Sequence, residues 1–273
     1  MIFIGTSGYS YKDWIGPFYP KGTKAGEMLP YYAQHFPAVE INATYYNVFS
    51  PATFASMDER TPADFRFSIK APGTVTHVPK TGALVLHGDV HLFRENVQPL
   101  VSSGKVAAAL LQFPNSFKPG ERSYEYLRRL ADAWHDLPLV AEFRNRDWQT
   151  PHTLEMLREL RMGFCNVDQP QFTSLLRPSA DVTGMVGYVR FHGRNYKAWW
   201  SGDNTTRYDY LYTGQELEPW AQRLTEVEAQ GVKETLAFFN NHRGGQAVQN
   251  AGTLTGLLRE RFGNRAAAIV EKI

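Results

Sequence analysis

Short apolar runs, rich in β-branched and aromatic residues, recur down the chain with helix-patterned segments between them. No other feature restricts the fold as much. The runs fall at Ile2–Gly5, Val39–Ile41, Phe65–Lys70, Val106–Phe113, Val140–Phe143, Gly163–Val167, Val186–His192 and Thr235–Asn240, eight in all. Between them, "SPATFASMDER" offers Ser50 as an N-cap with Pro51 at the first helical position. "ERSYEYLRRLADAWHDL" spaces Tyr124, Leu127, Leu130, Ala131 and Trp134 as one helix face. "GQELEPWAQRLTEVEAQG" does the same with Leu217, Trp220, Leu224 and Val227 and stops at Gly231. "GGQAVQNAGTLTGLLRERFG" predicts a last helix with Val248, Leu254, Leu257 and Leu258 inward.

Strands separated by helices pair in parallel, because a parallel neighbour needs a crossover connection. Eight such units in 273 residues predict an α/β fold, a (β/α)₈ TIM barrel, with residues 1–273 as one domain. A doubly wound open sheet is the rival, but "GTSGYSYKDW" after the first run lacks the G-x-G-x-x-G usual there.

Sites in such barrels sit at the C-terminal ends of the strands. Those ends are unusually polar here. The second closes with Glu40 and Asn42, the third with Lys70, the fourth with Gln112, and the fifth with Glu142 and Arg144. The sixth closes with Asp168, the seventh with Arg190 and His192, and the eighth with Asn240, Asn241 and His242. The spacing in Glu40/Asn42, Glu142/Arg144 and Arg190/His192 puts both members of each pair on one strand face, pointing into the barrel mouth. The plain alternative is a structural ion-pair network below the rim. Buried pairs are weak stabilisers, so several gathered at one end favour function.

Taken in order, "GTSGYSYKDWIGPFYP", "FPAVEINATYYNVFS", "FRFSIKAP…TH", "LLQFPNSF", "VAEFRNRDW", "YVRFHGRN" and "FFNNHRGGQAVQNAGTL" resemble the YecE-like family, domain-of-unknown-function family 72, from Gly5 to Leu258. The resemblance implies a TIM barrel distantly similar to those of xylose isomerase and endonuclease IV, and implies no particular activity. Val248 stands where that family's pattern would have proline, a departure confined to the last helix.

Glu40, Glu142, Asp168 and His192 could together suit Mg²⁺ or Mn²⁺. Lys70, Arg144 and Arg190 share that rim, and three fixed cations oppose a divalent ion and suit an anion. No cofactor is therefore expected, with a divalent metal as the lesser possibility. Gly193, Gly244 and Gly245 lie in the loops after the seventh and eighth strands, where barrels often cradle phosphate on backbone N–H groups, with Arg194 or Arg243 beside them. The plain reading is that these glycines only make turns. Trp199, Trp200, Tyr208, Tyr210 and Tyr212 crowd a long excursion after the seventh strand, either as a stacking lid or as a small satellite core. Tyr45, Tyr46 and Trp148 would extend that wall.

The expected protein is thus an enzyme acting on a phosphorylated or carboxylated small molecule by acid/base chemistry. Glu142 would be the base and His192 the group returning the proton; Arg144, Arg190 and Lys70 would clamp the anion. Asn240 and Asn241 would orient it. Hydrolase, lyase and isomerase chemistry stay open, and no motif marks an oligomer. Nucleic-acid binding or processing, and a non-catalytic small-molecule-binding barrel, are the alternatives. A net charge of +2 does not by itself point to nucleic acid or a membrane. The lone cysteine, Cys165 in "MGFCNV", reads as an inert core thiol and suits a reducing compartment. The opening "MIFIGTSGY" has no secretory pattern, and no run approaches the ~20 apolar residues of a membrane helix, so a cytoplasmic protein with no membrane partner is expected.

Overall fold

A computed structural model describes residues 1–77 and 86–262. Eight parallel strands close into a barrel in chain order: β1 (Ile2–Ser7), β2 (Ala38–Ile41), β3 (Arg66–Lys70), β4 (Val106–Gln112), β5 (Leu139–Glu142), β6 (Gly163–Asp168), β7 (Val186–Phe191) and β8 (Glu234–Phe239). Pairing of β1 with β8, from Ile2 opposite Thr235 to Thr6 opposite Phe239, closes the ring and leaves no sheet edge. The expected (β/α)₈ architecture is the observed one.

The helices between and after the strands are α1 (Ala25–His35), α2 (Pro51–Glu59), α3 (Gly73–Thr76), α4 (Asp89–Asn96), α5 (Gln98–Ser102), α6 (Glu121–Ala133), α7 (Pro151–Glu159), α8 (Asn204–Arg207), α9 (Gly214–Ala229) and α10 (Gln246–Phe262). Local chemistry sets their ends. Ser50 Oγ accepts from the Thr53 N–H with Pro51 opening α2. In α9, Thr213 and Glu216 form a reciprocal capping box. Leu217, Trp220, Leu224 and Val227 are buried on its barrel side. Helix α6 buries Tyr126, Leu127 and Leu130, while Tyr124 and Ala131 are only half-buried. In α10 the buried stripe is Ala247, Ala251, Leu254 and Leu258; Val248 and Leu257 lie at its margin. Gly263, the last residue of the segment expected to form this helix, lies outside the described residues. Among the described residues no helix is long and apolar enough to cross a membrane.

One connection departs from the expected alternation. Residues 169–185, between β6 and β7, contain no helix. The Asn166 amide replaces one as the anchor: its Oδ1 accepts from Ser179 Oγ (2.7 Å) and the Asp181 N–H (2.9 Å), and its Nδ2 donates to the Asp181 carbonyl (2.9 Å). Asn166 thus satisfies backbone that a helix would otherwise satisfy internally.

Inside the barrel, side chains meet in layers. Arg66 pairs with Glu234 at 2.9 Å at the N-terminal end. Above it, Ser68 and Tyr188 hydroxyls lie 2.6 Å apart, and Tyr188 Oη donates to Glu40 Oε2 at 2.7 Å. The next layer up is the candidate site.

Candidate functional site

The period-two alternation of β2, β5 and β7 delivers what it predicts: both members of each expected pair lie on the inward face of their strand end. Arg190 is the centre. Its Nη1 donates to Glu142 Oε2 (2.5 Å) and Gln112 Oε1 (3.2 Å), and its Nη2 to Glu40 Oε1 (2.7 Å). Glu142 Oε1 also receives Arg144 Nε at 3.1 Å and His192 Nε2 at 3.0 Å. Arg190 is 1% exposed, and Glu40, Glu142 and His192 are fully buried, so these contacts act without solvent screening.

Burial pushes the Glu142 carboxyl up, but Arg190, Arg144 and His192 overturn that and hold it well below the ordinary carboxylate range. Burial, then the nearby Arg144 charge, drives His192 down to about 3, with Glu142 opposing. His192 is therefore neutral at pH 7, with Nε2–H donating to Glu142 and Nδ1 accepting from Asn240 Nδ2 at 3.3 Å. Lys70 behaves differently. Burial and the Arg190 charge lower it to about 7, against the pull of Glu142 and Glu40. Burial pushes the Cys165 thiol well up, in keeping with an inert core residue.

Above this layer opens a cavity of about 460 Å³. Lys70, Arg144, Arg190 and Arg207 reach its wall, with the amides of Asn42, Gln112, Asn115 and Asn240. Tyr11, Tyr45, Tyr46, Trp199, Trp200 and Tyr208 supply aromatic faces, and His77 and His242 complete the polar rim. Lys70 Nζ lies 4.4 Å from the Tyr45 ring centroid, and Arg144 sits over Trp199 at 5.9 Å. Asn42 Oδ1 is buried with no hydrogen-bond partner among the described residues.

Of the residues expected at the site, Lys70, Arg144, Arg190, Asn42, Tyr46, Gln112, Asn240 and His242 line this cavity. Glu142, His192 and Glu40 lie beneath its floor, sealed by the arginines. That placement corrects the expected chemistry. A carboxylate already accepting from three partners and held ionised is an anchor and a poor base, and a histidine lowered to about 3 returns no proton near neutrality.

Other expectations fail for reasons of direction. Asp168 points outward, because Cys165 faces the cluster and alternate residues of β6 face opposite ways. It accepts from Arg194 Nε and Nη2 (2.9 and 2.7 Å), Tyr212 Oη (2.7 Å) and Trp220 Nε1 (2.6 Å). Trp148 is also outside the barrel, stacked on Phe143 at 4.1 Å with its N–H on the Phe117 carbonyl. Asn241 is buried, donating to the Tyr210 carbonyl and to Asn250 Oδ1. The set weighed for a divalent ion is not assembled, and among the described residues no three His, Cys, Asp or Glu side chains are placed to hold one.

The expected phosphate cradle is occupied by the protein itself. The Gly193 N–H donates to Tyr212 Oη (2.8 Å), and the Gly244 N–H to Asp13 Oδ2 (2.7 Å). Arg243 pairs with Asp209, and Arg194 with Asp168 and Glu216. Gly244 and Gly245 have φ of 58° and 78°, so they serve the turn. An Arg243→Ala variant is expected to change stability by less than about 1 kcal/mol, as an exposed pair does, and to leave anion binding at the cavity unchanged by titration calorimetry. Weakened binding would restore this loop to the site.

Tyr11, Asn115, Leu175 and Arg207 were not expected. Tyr11 follows β1 by a turn, stacks on His242 at 4.6 Å, and was missed because the first strand end carries no polar pair. Arg207 sits in α8, deep in the long excursion, and nothing periodic marks it. That excursion is divided: Trp199, Trp200 and Tyr208 line the cavity, while Tyr210 and Tyr212 pack edge-to-face beneath the loop.

Residues 3–271 match the family model described as "Protein of unknown function DUF72". The chain is 32% identical to the UPF0759 protein YunF of Bacillus subtilis, over 94% of this chain and 95% of that protein. It is 33% identical to the UPF0759 protein YecE of Escherichia coli, over 52% of this chain and 46% of that one. The crystal structure of a DUF72 family protein from Thermotoga maritima superposes with a TM-score of 0.85 at 36% identity, covering 95% of this chain and 99% of that one. With the barrel shared and the match running nearly end to end, the chain belongs to the DUF72 family.

Proposed function

We propose that the cavity is the active site of an enzyme acting on an anionic small molecule, carboxylated or phosphorylated, by acid/base chemistry. One observation carries the reading. Among the described residues that line the cavity none is acidic, while Lys70, Arg144, Arg190 and Arg207 all reach its wall. The two carboxylates beneath the floor, Glu40 and Glu142, are neutralised by Arg190 and Arg144. Lys70 and Arg207 are then the cavity cations with no carboxylate partner among the described residues, and an anion entering the cavity meets a positive wall in a partly dry site.

Each group takes a role that its contacts allow. Glu142 orients Arg144 through Nε, leaving its terminal nitrogens toward the cavity, one of them a loose 3.4 Å from Tyr208 Oη. Arg144 is therefore the anion clamp, a planar fork suited to carboxylate or phosphate. Lys70 takes over the proton-exchanging role first expected of Glu142 and His192, because an amine near 7 can both accept and return a proton at neutral pH. Asn42 Oδ1 awaits a donor from the substrate.

The test is thermal unfolding with inorganic phosphate, citrate and a neutral sugar. An anion at about ten times its dissociation constant should stabilise by about 1.4 kcal/mol, seen as a rise of roughly 3–5 °C. The shift should vanish in Arg144→Gln. A shift from the neutral sugar alone would defeat the reading.

A second reading, nucleic-acid binding or processing, draws on the exposed aromatics at the rim: Tyr46 is 75% and Trp200 55% exposed. It requires oligonucleotide affinity that falls steeply with salt.

A further inference from the structure

Lys70 is the one lysine among the described residues lining the cavity, and its side chain has no hydrogen-bond or ion-pair partner among the described residues. Such a lysine is unusual here. Lys70 is half-buried, and an ammonium withdrawn from water ordinarily reaches a carboxylate, as the buried Lys105 does with Asp58 at 2.7 Å at the other end of the barrel. Two carboxylates lie in the layer below Lys70, yet both are taken by arginines. What Lys70 does contact is the Tyr45 ring face, an apolar surface that leaves the nitrogen lone pair available once the proton is gone. The arginines already supply permanent positive charge. A lysine beside them adds the one property they lack, a nucleophilic neutral amine.

We propose that Lys70 Nζ forms an imine with a carbonyl compound that carries a carboxylate or phosphate, the anionic group held by Arg144. This deepens the anion-binding reading above and rests on it for the substrate's charge. The Nζ lone pair attacks the carbonyl carbon, forming the C–N bond while the C=O π pair moves to oxygen. One Nζ proton transfers to that oxygen, giving the carbinolamine. The nitrogen pair then forms C=N, the hydroxyl leaves with the second Nζ proton, and one water is released. No oxidant or reductant takes part. Protonation of the imine gives an iminium, whose charge faces the Glu40 and Glu142 layer below. The lowered proton affinity of Lys70 fits this role, since at pH 7 about half of such an amine is neutral, against roughly one in 2,500 for an ordinary lysine.

The experiment is reductive trapping of the full-length protein at pH 7. Glyoxylate and glycolaldehyde phosphate serve as carboxylated and phosphorylated probes, neutral glycolaldehyde as the third arm, and borohydride as the reductant. Intact mass and peptide mapping read the product. The expected result is one reduced adduct on the Lys70 peptide, favoured over ordinary surface lysines by up to about a thousandfold from the neutral fractions alone and suppressed by inorganic phosphate. The faster of the two charged probes tells carboxylate from phosphate. No adduct at Lys70 while phosphate still stabilises the protein overturns the imine and leaves the anion site standing. Equal trapping of neutral glycolaldehyde overturns the substrate class and the anion reading, leaving only the amine. Lys70→Arg keeps the charge and should lose the adduct; an unchanged yield would place the reactive amine elsewhere. Should that variant not fold, the wild-type peptide map decides alone.

Discussion

Replacing Arg190 with methionine is expected to lower folding stability by about 3–5 kcal/mol at pH 7, the loss typical of breaking a buried ion pair from one side. The guanidinium bridges Glu142 Oε2 at 2.5 Å and Glu40 Oε1 at 2.7 Å in a layer that solvent does not reach. Methionine fills similar volume, so the loss is electrostatic rather than a cavity effect. The two carboxylates suffer unequally. Glu142 keeps Arg144 and His192, whereas Glu40 keeps only the Tyr188 hydroxyl. Glu40 is therefore the carboxylate left buried with the weaker compensation. Urea denaturation at pH 7 measures the loss. Adding Glu40→Gln to Arg190→Met should recover part of the loss, and the double-mutant cycle isolates the pair. A variant within about 1 kcal/mol of the parent would mean that the bridge is absent in solution.

That network also explains how the cavity keeps its charge. Buried ion pairs stabilise little beyond an apolar substitute, but this one fixes geometry above itself. Glu142 holds Arg144 by Nε, and Gln112 and Glu40 hold Arg190 flat across the floor. The cations at the wall are thereby oriented before any ligand arrives, which lowers the ordering cost of binding.

What the sequence made legible was local. Period-two spacing is a property of four or five consecutive residues, so Glu142 with Arg144 and Arg190 with His192 could be placed on the inward face of their strand ends from the letters alone. Who pairs with whom is not local. Glu142 and Arg190 are 48 residues apart and Glu40 and Arg190 are 150, so nothing in either strand end tells which carboxylate faces a ligand and which faces a guanidinium. Asp168 ended a strand as Glu142 did, yet one step of register turned it to the helix layer and to Trp220. Gly193 and Gly244 had the composition of a phosphate cradle, but Tyr212, 19 residues on in the same excursion, and Asp13, from the loop after β1, already occupy their N–H groups. Lys70 was read as one of three equivalent clamps. Its difference from Arg144 and Arg190 lies in desolvation and in the lack of a carboxylate partner, which only the closed barrel imposes.

The same difference makes Lys70→Met stabilising where the parent is weakest. Burial lowers the folded-state amine to about 7 from an ordinary value of 10.5, so between those limits the unfolded chain binds more protons than the folded one. Stability then rises with pH across the window, and below about 7 the folded protein carries the cost of a charge partly withdrawn from water. Methionine removes that cost. The variant should exceed the parent by about 1–3 kcal/mol at pH 6, the full shift being discounted because cavity water partly screens the ammonium, and the advantage should disappear by pH 10. The proposed imine trapping should be lost at both. Phosphate should narrow the gap at pH 6, since an anion beside the ammonium favours the charged form and stabilises the parent more than the variant. Denaturant titrations at pH 6 and 10, with and without phosphate, carry the whole test. A Lys70→Met protein less stable than the parent at pH 6 would mean that the ammonium is well solvated or paired, and the amine would then be an ordinary lysine with no claim to nucleophilic chemistry.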